Sequence, residues 1–247
     1  MTPEQKKSVG QLSRAFFLQV VGNCLLIGAR PSLILSLDSD PAAAAALIGS
    51  MGTMGAILEF LCGPAFGRFS DRYGRVPFLM LGPLGSTVMN GLVYFFPTRN
   101  VLIVDKVITG LTVTSFVTIL RGSLNDVVQG QAFAVANSSM AMWTGSAIII
   151  APMIASRFLS DRMAFAAASA TAIINGVQLL CTFKETLPQK ERRPIDWGKT
   201  NPLSFTKLFT HSRSMTLLVF AIFFQSLGEI RFAFDLAQVI WRHVPSP

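Results

Sequence analysis

Residues 67–77 read Gly-Arg-Phe-Ser-Asp-Arg-Tyr-Gly-Arg-Val-Pro. Arg68, Arg72, Arg75 and Asp71 fall within about two helical turns' worth of chain. Long apolar runs lie on both sides, and nothing nearby is as polar. Helices that cross a bilayer are joined by short loops, and a loop this basic faces the cytoplasm. The stretch therefore predicts a membrane protein and gives its orientation.

Composition agrees. The 247 residues are 51% hydrophobic and 14% charged, against about 25% charged in a soluble domain. Mean hydropathy is +0.51. The formal charge of +8 does not indicate nucleic acid. The positive residues lie between apolar runs, and no basic-aromatic patch is interleaved. Cys24, Cys62 and Cys181 sit inside apolar runs, are odd in number and form no C-x-x-C pair, so they indicate neither disulfides nor zinc. His211 and His243 lack ligand spacing. No metal or cofactor is expected, and no nucleophile–base constellation suggests an enzyme.

The apolar runs predict spans over 15–37, 42–66, 78–96, 101–125, 132–158 and 164–183, each near the 20 or so residues a crossing needs. The first is too long for a cleaved signal sequence. Gly49, Gly52 and Gly55 mark a small-residue face on the second span, and Gly82, Gly85 and Gly91 one on the third, both expected to allow close helix approach. Residues 184–213 are polar and basic, and a seventh run begins near 215. The organisation expected is a cytoplasmic N-terminus (1–14), a six-helix bundle (15–183), a basic cytoplasmic loop (184–213), and a seventh helix with the C-terminal end (214–247), the start of a second bundle. With the N-terminus inside, the inner segments collect far more Lys and Arg than the outer breaks. A seven-helix receptor, with its N-terminus outside, is disfavoured.

The spacing Gly67-x-x-x-Asp71-Arg72-x-Gly74-Arg75 resembles the loop signature after the second helix of major facilitator superfamily transporters. Leu61-Cys62-Gly63-Pro64, Pro77 and Lys106-Val107-Ile108-Thr109-Gly110 look like the tetracycline-antiporter branch, with Lys106 where an Arg is usual. Asp126 matches the acid that ends the family's fourth helix, and Glu185-Thr186-Leu187-Pro188 its phrase closing the sixth. The branch's fifth-helix G-x-x-x-G-P is reduced to Pro152 here, which puts antiport in doubt. The fold implied is an all-α, polytopic membrane protein: a six-helix N-terminal bundle plus a seventh transmembrane helix. The resemblance further implies a gating latch in which Asp71, Arg72 and Arg75 join Asp126, with Gly67 and Gly74 shaping the backbone. The alternative for the stretch is a loop that only sets topology.

Charges within spans face a cavity or a partner, because one at mid-membrane costs at least about 2.5–3.5 kcal/mol. Glu59, Arg30, Lys106 and Asp105 are the candidates for substrate or proton coupling. Glu59 leads as a proton carrier, against a neighbouring ion pair or snorkelling. Arg30 and Lys106 fit an anionic substrate or compensation of Glu59, and Asp105 equally fits the outer interface. Gln19, Asn23, Asn175 and Gln178 read as interhelical hydrogen-bonding groups. Pro152 reads as a helix kink.

The function implied is secondary transport of a small solute by alternating access, with protons as a candidate coupling ion and the bilayer as the surroundings. Family members carry about twice this many helices. Two other expectations therefore stay open: an incomplete fragment that does not transport alone, and a non-transporting assembly or binding protein. A transporter built on this half needs a second half, from a dimer or from further chain.

Overall fold

The computed structural model describes residues 1–38, 40–189, 192 and 212–228. The helices are α1 (Pro3–Leu37), α2 (Pro41–Tyr73), α3 (Arg75–Leu79), α4 (Leu81–Phe95), α5 (Arg99–Val127), α6 (Gln131–Phe158), α7 (Asp161–Thr182) and α8 (Arg213–Gly228). No strand occurs among the described residues. Counting α3 and α4 as one span, six crossings are long and apolar enough for a membrane. The protein is an integral, multi-pass membrane protein. α8 opens the seventh apolar run. Most of the basic loop expected over 184–213, and the run beyond 228, lie outside the described residues.

Helix starts follow local chemistry. Thr2 and Gln5 form a capping box, with Gln5 N donating to Thr2 Oγ1 (3.2 Å) and Thr2 N to Gln5 Oε1 (2.8 Å). Asp40, Thr98 and Ser160 cap α2, α5 and α7 with side-chain oxygens. The polar N-terminus forms the first turns of α1. Gln5 Nε2 donates to Val127 O at the end of α5 (3.0 Å), and Leu12 is fully buried. Packing holds this segment helical where hydropathy alone would end the span.

One correction concerns the opening stretch. It is not a loop. Gly67 to Tyr73 are the last two turns of α2, and Arg75 starts α3. The chain reverses at one residue, Gly74, whose φ of +105° few side chains tolerate.

α1 lies between α6 and α7 and also touches α5; α4 packs on α5 and α7, and α2 on α5. One core cluster, with Leu12, Leu79, Phe116, Leu120 and Leu179, fills the end of the bundle that carries Arg75. Another, with Leu26, Leu33, Leu102 and Phe165, lies towards the opposite end. The α4–α5 contact is close because of the expected glycines: a Cβ at Gly82 would sit 2.6 Å from Phe116 Cβ, and one at Gly85 would strike the Thr112 side chain. The α2 glycines behave differently. Gly49 faces open space, Gly55 has the Lys106 side chain beside it, and Gly52 borders a cavity. Their small size keeps that space open rather than drawing a helix in.

Polar groups tie the bundle together as expected of them. Gln19 Nε2 donates to Ser86 Oγ (3.0 Å), and Asn175 Nδ2 to Gln19 Oε1 (3.3 Å), linking α1, α4 and α7. Gln178 Nε2 donates to Gln11 O (3.1 Å). Asn23 instead borders the cavity. Pro31, Pro64 and Pro152 all lie inside helices that continue past them.

Candidate functional site

Two charged clusters mark the ends of the bundle. At the first, Arg75 is the hub. Asp71 lies on the last turn of α2, and the break at Gly74 turns the arginine back towards it and α5. Its Nη1 lies 2.6 Å from Asp71 Oδ1 and donates to Ser70 Oγ at 2.8 Å, while Nε meets Asp126 Oδ2 at 3.0 Å. The guanidinium rests on Gly122, where a Cβ would come 3.2 Å from Cζ. Arg75 is only 8% exposed, so these contacts form largely out of water, where charge-assisted bonds are strong.

Glu185 completes this cluster from beyond α7. Its carboxylate accepts from Arg75 N (2.9 Å), Val76 N (3.3 Å) and Leu187 N (3.1 Å). Gly74 supplies the space, since a Cβ there would lie 2.5 Å from Glu185 Oε2 and 2.9 Å from Arg192 Nη2. Glu185 enters the sequence reading only as part of a phrase closing the sixth span. The missed signal is the need of free N–H groups after a glycine break for an acceptor. Of the expected latch residues, Asp71, Arg75 and Asp126 are brought together. Arg72 is exposed and lies over the Tyr73 ring, 5.3 Å from its centroid. Gly67 faces the Thr118 methyl across α2 and α5.

Towards the other end, a cavity of about 310 Å³ opens between α1, α2, α4 and α5. Arg30, Lys106 and Asn90 supply polar groups, and Leu26, Ile34 and Met51 are among its apolar lining. Arg30 Nη2 is 2.7 Å from Asp105 Oδ2, and Arg30 also stands over the Phe165 ring. Asp105 has no exposed surface. It is an enclosed counter-ion for Arg30, which pairs with Asp105 and not with Glu59. The pair is incompletely satisfied. Arg30 Nε, Asp105 Oδ1 and Asn90 Oδ1 are buried without a hydrogen-bond partner. Glu59 is exposed and is not in the lining. It lies on the α2 face shared by Ile48, Gly52 and Gly55, one turn beyond Gly55.

A second cavity of about 380 Å³, bordered by Ser32, Pro152, Ser156 and Asp161, lies between α1, α6 and α7. There the Ser32 hydroxyl donates to Asp161. No cluster of three or more His, Cys, Asp or Glu able to hold a metal occurs among the described residues.

A profile of the Major Facilitator Superfamily matches residues 15–238. The chain belongs to this superfamily. Among its relatives is the tetracycline resistance protein, class C, of Escherichia coli, 28% identical over 220 residues, covering 86% of this chain and 54% of that protein. Multidrug resistance protein 1 of Bacillus subtilis is 24% identical over 225 residues, covering 89% of this chain and 55% of that protein. The chain thus spans about half the length of the curated relatives it matches. Among solved structures, the human organic anion transporter MFSD10 superposes with a TM-score of 0.73 at 18% identity, covering 84% of this chain and 55% of that one. The superfamily fold accounts for α1 to α7 as a six-crossing bundle.

Proposed function

We propose that this chain forms one wall of a secondary transporter that moves a small solute by alternating access, with its N-terminus in the cytoplasm. The observation that carries this reading is the contrast along the bundle axis. A cavity with basic and amide groups lies in one half, and the other half is filled with side chains and sealed by the Arg75 cluster. Such an arrangement suits a wall open on one side. The Arg75 cluster would then be the latch whose opening admits water from the cytoplasm. The relatives' names point to different solutes (tetracycline, drugs at large, organic anions), so the family leaves the solute open. The largely exposed face of α2, with Ile57, Phe60 and Leu61, fits a second bundle, from further chain or from a second copy.

Access decides the reading. With Cys24, Cys62 and Cys181 replaced by serine, Gly52→Cys should react with a membrane-impermeant maleimide from outside. In Arg75→Ala it should also react from the cytoplasmic face of inverted vesicles. Labelling from neither side would sink the proposal. Proton coupling through Glu59 is the finer part of it, motivated by an acid in a membrane-spanning helix on the cavity-bordering face. Glu59→Gln should remove the response of solute uptake to an imposed pH gradient, and an unchanged response would assign coupling elsewhere.

A further inference from the structure

The 380 Å³ cavity between α1, α6 and α7 has no part in the Arg75 cluster or the Arg30–Asp105 pair. It lies across α1 from the cavity beside Arg30, and among the described residues the two linings share Pro31 alone. It reaches the break where α6 ends and α7 begins, at the end of the bundle opposite Arg75. Asp161 is the one lining residue with a formal charge among those described. It is partly exposed, and Ser32 donates to its Oδ2. Its Oδ1 has no donor among the described residues and is not an enclosed atom. No Lys or Arg among the described residues forms an ion pair with it. Arg157 and Arg162 flank it in sequence, but both are exposed and neither is in the lining, so water and salt screen them. The first turn of α7 suits a negative charge. The wall therefore carries a carboxylate with an accessible oxygen to spare.

Two hydroxyls beside it have already committed their protons. Ser32 donates to Asp161, and Ser156 donates to Met153 O (3.1 Å). A hydroxyl that donates keeps lone pairs that accept, and Ser156 is exposed, so its oxygen can take a further bond. A ligand that meets Asp161 and Ser156 must bring N–H or O–H donors, and the carboxylate calls for positive charge. One carboxylate oxygen and one hydroxyl are too few to hold a metal ion. No aromatic ring lines the cavity among the described residues, so a quaternary ammonium, which aromatic faces hold best, has nothing suited to it. The remaining wall is small or aliphatic, including Leu35, Pro152 and Leu159. A volume of about 380 Å³ lies within the roughly 300–1,000 Å³ usual for ligand sites.

We propose that this cavity binds a small organic ammonium that carries N–H groups, an arylalkylamine being the simplest case. Its ammonium donates to Asp161 Oδ1 and Ser156 Oγ, and its hydrocarbon part lies against Leu35, Pro152 and Leu159. Ser32 holds the carboxylate in place through the other oxygen. A carboxylic acid would meet a like charge, and an alcohol would leave Asp161 without a counter-ion. The site is separate from the space read as the solute path, and it stands whether or not that space carries a solute.

The test is equilibrium binding to the purified full chain in detergent, using radiolabelled phenethylamine at neutral pH, where it is an ammonium. Its N,N,N-trimethyl analogue, 2-phenylethanol and 3-phenylpropanoate serve as competitors. Phenethylamine should bind saturably. The trimethyl cation, which has no N–H, should compete about fivefold more weakly, and the alcohol and the acid at least about tenfold more weakly. Asp161→Asn keeps the shape of the side chain and should weaken phenethylamine at least about tenfold. Ser156→Ala should weaken phenethylamine about fivefold and leave the trimethyl cation as it was. That loss of discrimination is a change a merely misfolded variant would not give. Equal competition by the alcohol or the acid would overturn the proposal. So would unchanged affinity in Asp161→Asn, intact discrimination in Ser156→Ala, or no saturable binding by protein that shows a cooperative thermal transition.

Discussion

Arg75 and Arg30 are both guanidinium groups held between helices, and their surroundings differ in one respect. Arg75 meets two carboxylates and a hydroxyl, its own backbone N–H is taken by Glu185, and none of its buried atoms lacks a partner. Arg30 meets one carboxylate and keeps a buried Nε unpaired, with a buried acceptor left over on Asp105 and another on nearby Asn90. The first cluster is closed on itself and packed around glycines. The second is held open beside empty space. Buried polar groups left unpaired cost about 1–3 kcal/mol each, so a saturated cluster fits a structural closure, and an unsaturated one fits a place where something else binds.

The largest effect that would test this contrast lies at the unsaturated end. Arg30→Met leaves Asp105 enclosed with no counter-ion, and breaking a buried pair in this way costs about 3–5 kcal/mol. The thermal transition in detergent should fall sharply. Arg30→Met with Asp105→Asn should recover most of it, because no charge is then stranded. A double variant no better than the single one would show that Asp105 is not held by Arg30.

Next in size is the hinge. Gly74→Ala forces a side chain onto a φ of +105° and against the Glu185 carboxylate. With ψ near 161° this is a backbone region that is essentially glycine-only, and holding another residue there costs about 1–3 kcal/mol. The variant should lose that stability and also displace Glu185. In the Gly52→Cys background, labelling from the cytoplasmic face should therefore rise. Lost stability with unchanged labelling would separate the hinge from the closure.

Much of this architecture was legible in the sequence. The spacing Gly67-x-x-x-Asp71-Arg72-x-Gly74-Arg75 placed a charged junction between the second and third spans, and hydropathy placed five of the six helix ends away from the N-terminus within a few residues. What escaped has a common cause. Hydropathy reports where lipid ends, not where helix ends, so the helical turns carrying Gly67 to Tyr73 read as a loop. Pairing across 75 positions, as in Arg30 with Asp105, leaves no local pattern. That Asp105 is enclosed emerges only from the packing of α1 on α5. Glu185 escaped for the same reason, since its partners lie 110 and 109 positions earlier in the chain.

Glu185 also gives the smallest and most discriminating effect. Its two oxygens accept three backbone N–H groups, Oε1 from Arg75 and Leu187, and Oε2 from Val76. Glu185→Gln keeps one acceptor oxygen and replaces the other with a donor. The Val76 bond, the longest at 3.3 Å, is then lost, along with a negative charge beside the first N–H groups after the break. Such a charge is worth about 0.3–1 kcal/mol at a helix start. The expected loss is therefore under about 1 kcal/mol, whereas Glu185→Ala, which removes all three bonds, should lose roughly twice as much. If the end carrying Arg75 is closed by the whole cluster, cytoplasmic labelling at position 52 should rise in that same order, glutamine before alanine. If Arg75 with Asp71 and Asp126 suffices, both variants should lose stability while labelling stays at its starting level, and Glu185 would then serve the hinge without serving the closure.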